Sequence, residues 1–500
     1  MPNDKIRDIG ENICKQVIGF LPTSSSIKPL HIANGLFRRC LGECCDISAV
    51  HEWVTSERRK NDTILSSESI KRKYAAILYE GEQESVDNIA NIRFVLEEIF
   101  DQDKAAYPSL KETVLSISSH WLVKGRVSSE ADIDKFNYEI LSQRIDSKKS
   151  KAIELIKIAL KNDNDDLTRL IKPIIAHKIK SDASGKHYAD VDERYSEYRE
   201  FELDSCQRTI RKAFDNLASN MGLLGQSRNS LLVLQRMVNL ASFSTIYYLI
   251  AANNTKHGGE RIPLLLDSGI GLSSIEYASE ECIIAVKKSV EGLFINSIQN
   301  QLSEEIAHKN SNKECEAYIE NMMLDEQKYK AEVRKELKTL YSSFCSDGEI
   351  PIRALARALQ FCIYTYVYPN CTPSDFCSRG LSVRLGLVGP GGNAVKKKRF
   401  LTNRFLLETL TLSAVTEDEL REGLELRDLG NRLREMYNIV LGSDAELDYK
   451  LLEKSNISQN TPGDLRGELS LNARAIADMY ISMRLANKYA DGVTIIGWEG

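Results

Sequence analysis

Seven positive charges and no Asp or Glu occur in the 29 residues from Arg379 to Leu407. Because the whole chain carries a formal net charge of −5, it repels phosphate except where positive charge is concentrated locally. Each Lys or Arg that neutralises a phosphate releases counterions, and glycine-flanked loops approach a phosphate backbone closely. This segment, called the basic run below, therefore favours a contact with nucleic acid through Arg379, Arg384, Lys396, Lys397, Lys398, Arg399 and Arg404.

Other interpretations of the basic run stay open. It can bind an acidic protein surface, or it can be a solvated loop or one docked on the acidic stretch from Glu408 to Asp428 of the same chain. We expect that replacing positions 396–399 together by alanine leaves the melting temperature almost unchanged, because a solvated loop contributes little to stability. A phosphate-binding P-loop does not fit, because Lys396 stands four residues after Gly392 and no Ser or Thr follows it.

Cysteine and histidine near the N-terminus raise the question of a metal site. Five such residues lie within 21 positions, and zinc prefers sulfur and imidazole ligands. Their spacing matches no recurrent zinc frame, since neighbouring Cys44 and Cys45 would point to different sides of a helix. The chain has eleven cysteines and no C-x-x-C pair, which predicts reduced thiols in a cytosol. We therefore expect core residues that bind no metal or cofactor in this group, which consists of His31, Cys40, Cys44, Cys45 and His51.

Catalytic motifs are scarce. The sequence contains neither G-x-S-x-G nor H-E-x-x-H. Glu336-Leu337-Lys338 has the E-x-K form in which some nucleases pair a Mg²⁺-binding carboxylate with a lysine. Tripeptides of this form arise by chance in a charged chain, and this one sits in a helical pattern. We therefore expect a protein that is not an enzyme.

Helical periodicity dominates the first 350 residues and positions these groups. Apolar residues recur three and four apart in Lys149 to Leu160, which predicts an amphipathic helix. The uncharged stretch from Met237 to Thr255 is long enough to span a bilayer, but Asn and Ser interrupt it, so it predicts a buried central helix and no membrane contact. Turn-rich segments suggest three domains: 1–182 and 183–350, both helical, and 351–500.

The last 150 residues combine strand patterns with helical ones. Leu381 to Val388 alternates like a short strand, and helical patterns follow at Phe400 to Leu412, Glu417 to Tyr437 and Ser470 to Leu485. A hairpin pattern at Lys488 to Ile496 completes the order of a winged helix-turn-helix. The predicted fold class is mainly α: a multi-domain helical protein with a C-terminal winged-helix-like α+β module. Its last helix and wing add three predicted nucleic-acid contacts, Arg474, Arg484 and Lys488.

Three segments of this C-terminal region resemble a known group of proteins. The segments RGLSVRLGLV from Arg379, KKKRFLTNRFLLETL from Lys396 and RLREMYNIVLG from Arg432 are similar to the C-terminal part of accessory proteins in bacterial genome-defence (anti-phage) systems. The resemblance covers about the last 125 residues and supplies no catalytic residues.

The resemblance implies a non-catalytic subunit that binds DNA or helps to assemble an ATPase or nuclease complex, and the reduced cysteines predict that it is cytoplasmic. Its expected partners are nucleic acid, with DNA favoured over RNA, bound by the C-terminal region, and another protein subunit, an ATPase or a nuclease, bound by the helical region. The alternative is a purely protein-binding helical scaffold without nucleic-acid contact. The salt dependence of nucleic-acid binding separates the two hypotheses.

Overall fold

The structure is a computed structural model of the 500-residue chain. It describes residues 4–42, 44–45, 91, 93–97, 109–110, 113–114, 119–122, 131–145, 147–161, 166–172, 178–179, 202–325, 332–391, 397–461, 463–490 and 493–497. Within these ranges the fold is mainly helical, as the sequence predicts, with short strands between the helices.

The N-terminal part contributes short helices and isolated strand pairs. A π-helical turn, Ile13–Ile18, continues the first helix, and Lys151–Leu160 confirms the helix predicted there. Strand β1 pairs with β4, and β2 pairs with β3, both antiparallel. The elements are α1 (Lys5–Asn12), α2 (Pro29–Leu41), β1 (Cys44–Cys45), β2 (Ser109–Leu110), β3 (Thr113–Val114), α3 (Ile133–Ser142), α4 (Lys151–Leu160), α5 (Asp166–Ile171) and β4 (Lys178–Ile179).

Longer helices form the middle of the chain. Two π-helical segments, Ile363–Val367 and Phe376–Gly380, follow the last long helix of this part. The elements are α6 (Ser205–Leu223), α7 (Ser230–His257), β5 (Leu264–Leu265), α8 (Ser273–Glu305), α9 (Asn312–Asn321), α10 (Val333–Ser346), α11 (Pro351–Cys362), α12 (Pro373–Asp375) and α13 (Leu381–Arg384).

The C-terminal part alternates helices with two- and three-residue strands. Its elements are β6 (Val388–Gly389), β7 (Arg399–Phe400), α14 (Arg404–Ala414), α15 (Glu417–Glu422), β8 (Leu424–Glu425), α16 (Leu426–Tyr437), β9 (Ile439–Val440), α17 (Ala445–Lys454), α18 (Leu465–Ser482), β10 (Ala486–Lys488) and β11 (Thr494–Ile496).

Helices α7 and α8 form the centre of the molecule. They pack against each other, α7 also contacts α2, α4, α6 and α14, and α8 also contacts α11 and α18. Leu240, Phe243 and Ile246 of α7 are completely buried. The uncharged stretch is thus the buried central helix that the sequence predicts, surrounded by other helices. Among the residues that the structure describes, no helix combines the length and the apolar character needed to cross a membrane.

A strand contact joins two of the predicted domains. Strand β5 pairs in parallel with β9, and an isolated bridge between Asp267 and Leu401 continues the pairing towards β7, which pairs with β6. The packing therefore crosses position 350, where the sequence suggests a boundary. The three domain ranges stay predictions.

The last two strands form the expected hairpin, and a third strand joins them. Strand β10 pairs with β11, and β11 pairs with β8, all antiparallel, in the spatial order β10, β11, β8. The prediction of one helix from Glu417 to Tyr437 is wrong, because Gly423 ends α15 with a φ of +81°. A Cβ at that glycine would lie 2.7 Å from Ile495, so the break lets β11 pack against β8.

The predicted strand from Leu381 to Val388 is also wrong. The π-helical turn Phe376–Gly380 runs directly into α13, and only Val388 at the end of the segment lies in a strand. Leu381, Leu385 and Leu387 are buried in the core, so the aliphatic side chains serve a helix and the turn after it. A short apolar run does not by itself distinguish a buried strand from a buried helix.

Candidate nucleic-acid interface

Arg399 of the basic run forms ion pairs with two carboxylates, one of them completely buried. Its Nε lies 2.6 Å from Oδ2 of Asp267, and its Nη2 lies 2.8 Å from Oε1 of Glu276. Asp267 is completely buried, and its other carboxylate oxygen accepts a hydrogen bond from the backbone N–H of Gly269. The expectation of a solvated loop is wrong for Arg399, since this side chain neutralises a buried carboxylate.

The two lysines before Arg399 are also engaged within the chain. Nζ of Lys397 lies 3.2 Å from Oε2 of Glu280 on α8 and 5.3 Å from the ring centre of Tyr277. The hydrogen bond with Glu280 raises the pKa of Lys397. Nζ of Lys398 donates to the carbonyl oxygen of Pro390. The acidic partners of Lys397 and Arg399 are therefore Asp267 and residues of α8, not residues of the stretch Glu408 to Asp428.

The remaining charges of the basic run are spread over the surface. Arg379 lies 2.7 Å from Asp375, and Arg384 donates two hydrogen bonds to the carbonyl oxygen of Ser25. Arg404 is exposed in the first turn of α14. Lys396 lies outside the described residues. Arg379 and Arg384 are thus also bonded to groups of the same chain.

Helix α18, the predicted groove-facing helix, is fixed along its buried side. Oε2 of Glu468 accepts hydrogen bonds from the backbone N–H groups of Ser274 and Ile275, at the start of α8. One turn later, the side chain of Asn472 accepts from the N–H of Ser268 and donates to the carbonyl oxygens of Leu266 and Leu441. Asn472 is completely buried. These bonds hold α18 against α8, β5 and the segment after β9.

The opposite side of α18 borders a cleft. The cleft has a volume of about 260 Å³ and lies between α18, the start of α16 and the β10–β11 hairpin. Two predicted contacts, Arg474 and Lys488, meet there, and both are exposed. The lining residues are Glu425, Leu426, Arg427, Arg474, Ala477, Asp478, Lys488, Val493 and Thr494. Three cations against two carboxylates give the lining a formal charge of +1.

Arg427 is the cation of this cleft that the sequence reasoning missed. Its Nε and Nη2 lie 3.0 and 2.6 Å from Oδ2 of Asp444, the residue that caps α17. The hydrogen bond from Arg427 lowers the pKa of Asp444 and raises that of Arg427 itself. The sequence pattern places Arg427 in the interior of one long helix. In the structure it is the second residue of α16, and Gly423 is the sequence signal that could have indicated a helix start there.

Arg484 does not line the cleft. It follows α18 directly, with a φ of +59°, and its side chain is exposed. The structure therefore brings together Arg474 and Lys488 of the predicted contacts in the last helix and wing, and adds Arg427 to them.

The residues considered for metal chemistry are not brought together where they are described. Cys40 is buried in α2, whereas Cys44 and Cys45, expected on a helix, form strand β1; His51 lies outside the described residues. Glu336 accepts a hydrogen bond from Tyr366, and Lys338 pairs with Glu320. Within the described part of the chain, no group of three or more His, Cys, Asp or Glu side chains is placed to hold a metal ion.

Comparisons with family models, curated proteins and solved structures find no significant match to this chain. The comparisons therefore contribute nothing to the assignment of a function.

Proposed function

We propose that this protein is a non-catalytic subunit that binds duplex nucleic acid through the cleft between α18 and the β10–β11 hairpin. The observation that carries the proposal is the meeting of the exposed cations Arg474 and Lys488 at that cleft. Arg427 also lines the cleft but is paired with Asp444. Phosphate contacts by such side chains supply most of the affinity of nucleic-acid-binding proteins. The basic run contributes less than its sequence suggests, because its described cations are mostly engaged within the chain.

The order of elements supports a winged-helix module as the scaffold for this contact. In winged helices the hairpin after the recognition helix pairs with a strand that precedes the second helix. Here β8 lies between α15 and α16, and the sheet order is β10, β11, β8, with α18 directly before the hairpin. The insertion of β9 and α17 before α18 distinguishes the present arrangement from a minimal helix-turn-helix.

The resemblance to accessory proteins of bacterial defence systems is the basis for proposing a cytoplasmic complex. In that setting α18 and the hairpin would hold DNA, and the helical region would hold an ATPase or nuclease subunit. In this proposal the side chains that line the cleft all come from this chain.

Binding of a labelled 20-base-pair duplex, followed by fluorescence anisotropy at several salt concentrations, tests the proposal. Arg474→Ala and Lys488→Ala should each weaken binding, because each removes a cation from the cleft. A variant that has lost a phosphate contact should also flatten the salt slope by about one unit. Arg484→Ala tests the predicted contact outside the cleft. Arg466→Ala is the matched control, since Arg466 lies on the same helix but stacks on Tyr449 and pairs with Glu446.

Two results would contradict the proposal. One is parental affinity in both the Arg474→Ala and Lys488→Ala variants. The other is a loss of binding on replacing Lys396 and Lys397 by alanine while the cleft variants bind normally, which would return the contact to the basic run.

A second candidate is a protein-binding scaffold without nucleic-acid contact. The observation in its favour is that Leu447 of α17 and Leu471 of α18, on two helices that pack together, are 46% and 45% exposed. Exposed large apolar side chains are common at protein interfaces. Copurification of a subunit that is lost on Leu471→Ser, together with no salt-dependent duplex binding, would favour this candidate.

A further inference from the structure

Two charged side chains on the exposed side of α18 have no partner among the described residues. Arg474 and Asp478 lie one helical turn apart, both are exposed, and both line the cleft. Side chains four residues apart on a helix can form an ion pair. These two form none, neither with each other nor with any other residue in the part of the chain that the structure describes.

Neighbouring arginines behave differently. Five of the eight arginines from Arg404 to Arg484 form ion pairs with carboxylates: Arg421 with Glu417, Arg427 with Asp444, Arg432 with Glu419, Arg434 with Asp448 and Arg466 with Glu446. Arg404 and Arg484 lie outside the cleft. Arg474 is thus the arginine of the cleft whose hydrogen-bonding capacity is not already used by a described carboxylate.

The carboxylate of Asp478 is unfavourable on a surface that only binds phosphate. It repels the backbone of every nucleic-acid sequence equally and lowers the affinity for all of them. Its presence is favourable where it accepts a hydrogen bond from a base. The amino group at N4 of cytosine is the partner that Asp and Glu take in the major groove, and guanine O6 and N7 are the bidentate partners of Arg.

The spacing of the two residues is compatible with neighbouring base pairs. Four residues of α-helix rise about 6 Å, and base pairs of B-form DNA stack about 3.4 Å apart, so the two side chains can reach bases that lie within two base-pair steps of each other. Only the major groove of B-form DNA admits a helix, because the major groove of A-form RNA is too deep and narrow.

We infer that Arg474 and Asp478 read G·C base pairs in the major groove of B-form DNA, Arg474 contacting guanine and Asp478 contacting cytosine within two base-pair steps. The inference rests on the proposed nucleic-acid function and names its substrate class. It assigns to Asp478 a role in sequence preference and none in overall affinity.

The test compares otherwise identical duplexes with an A·T or a G·C centre, and an RNA duplex of the G·C sequence, by anisotropy at one salt concentration. The protein should bind the G·C DNA about tenfold more tightly than the A·T DNA, and the RNA no better than the A·T DNA. Arg474→Lys keeps the charge but loses the bidentate geometry, so it should lose most of this preference with little change in A·T affinity.

Asp478→Asn removes the charge at nearly constant size. It should bind the A·T duplex more tightly and show a smaller preference for G·C. Glu453→Gln is the matched control, because Glu453 is an exposed carboxylate on α17 outside the cleft, and this variant should keep the parental preference.

Equal binding of the two DNA duplexes by the unmodified protein, or an unchanged preference in both variants, overturns the inference and leaves the proposed function intact. RNA binding equal to that of the G·C DNA also overturns it. Absence of any duplex binding overturns both.

Discussion

Replacing Arg399 by alanine should destabilise the protein strongly, although Arg399 belongs to the most charged segment of the chain. The change leaves the completely buried carboxylate of Asp267 without its cation. Removing one partner of a buried ion pair costs about 3–5 kcal/mol. Arg399 is 22% exposed and Asp267 keeps the N–H of Gly269, so we expect the lower end, about 3 kcal/mol.

Urea unfolding followed by far-ultraviolet circular dichroism measures this loss. With a slope of about 3 kcal/mol per molar urea, the midpoint should fall by about 1 M. Lys397→Ala is the control, because Lys397 is two positions away and 68% exposed, and its pair with Glu280 is screened by water. Its midpoint should match that of the parent.

A double variant separates charge from packing. Asp267→Asn combined with Arg399→Ala removes the unpaired buried charge, so it should be more stable than Arg399→Ala alone. Equal midpoints for Arg399→Ala and Lys397→Ala would refute the reasoning, and so would a double variant less stable than the single one.

Three further predictions concern the core and its thiols. Asn472→Ala removes three buried hydrogen bonds and should cost about 3 kcal/mol in urea unfolding, whereas exposed Ser470→Ala on the same helix should leave the midpoint unchanged; equal midpoints would contradict the assigned bonds. Burial raises the pKa of the thiols of Cys14, Cys282 and Cys362 to about 12. In the unfolded chain these thiols lose their protons at a lower pH than in the folded protein, so the free energy of unfolding should fall as the pH rises from 9 towards 12. A free energy that is constant between pH 8.5 and 10.5 would contradict this. Elemental analysis should find well under one zinc per chain, and a chelator should not unfold the protein; one tightly held equivalent would contradict the core interpretation of the cysteines.

Periodicity predicted those elements whose burial follows directly from local sequence. The helix Lys151–Leu160 and the hairpin of β10 and β11 lie where the apolar spacing and the turn residues indicated them. The failures occurred where a distant segment decides the outcome. At Gly423, which ends α15, a Cβ would lie 2.7 Å from Ile495, a residue 72 positions later in the chain.

The candidate site was partly predictable for the same reason. Arg474 and Lys488 follow from their positions on a helix and in a wing, but the use of the basic run does not follow from its composition. Its counter-charges, Asp267 and Glu280, lie more than 110 residues earlier in the chain, so no window of sequence shows that the cations are already neutralised.

Under the proposed function, the availability of a charge is therefore a better guide to a contact with a phosphate or a base than its local density. The two sides of helix α18 differ in their contacts. Glu468 and Asn472 form hydrogen bonds with the start of α8 and with the segment that follows β5. Arg474 and Asp478 line the cleft on the other side and form no hydrogen bond or ion pair with described residues. A helix fixed on one side loses little conformational freedom when the other side binds, so a ligand gains the full benefit of its contacts. The fixed position of α18, and the two charges on its open side that form no ion pair with described residues, both favour the proposed binding at the cleft.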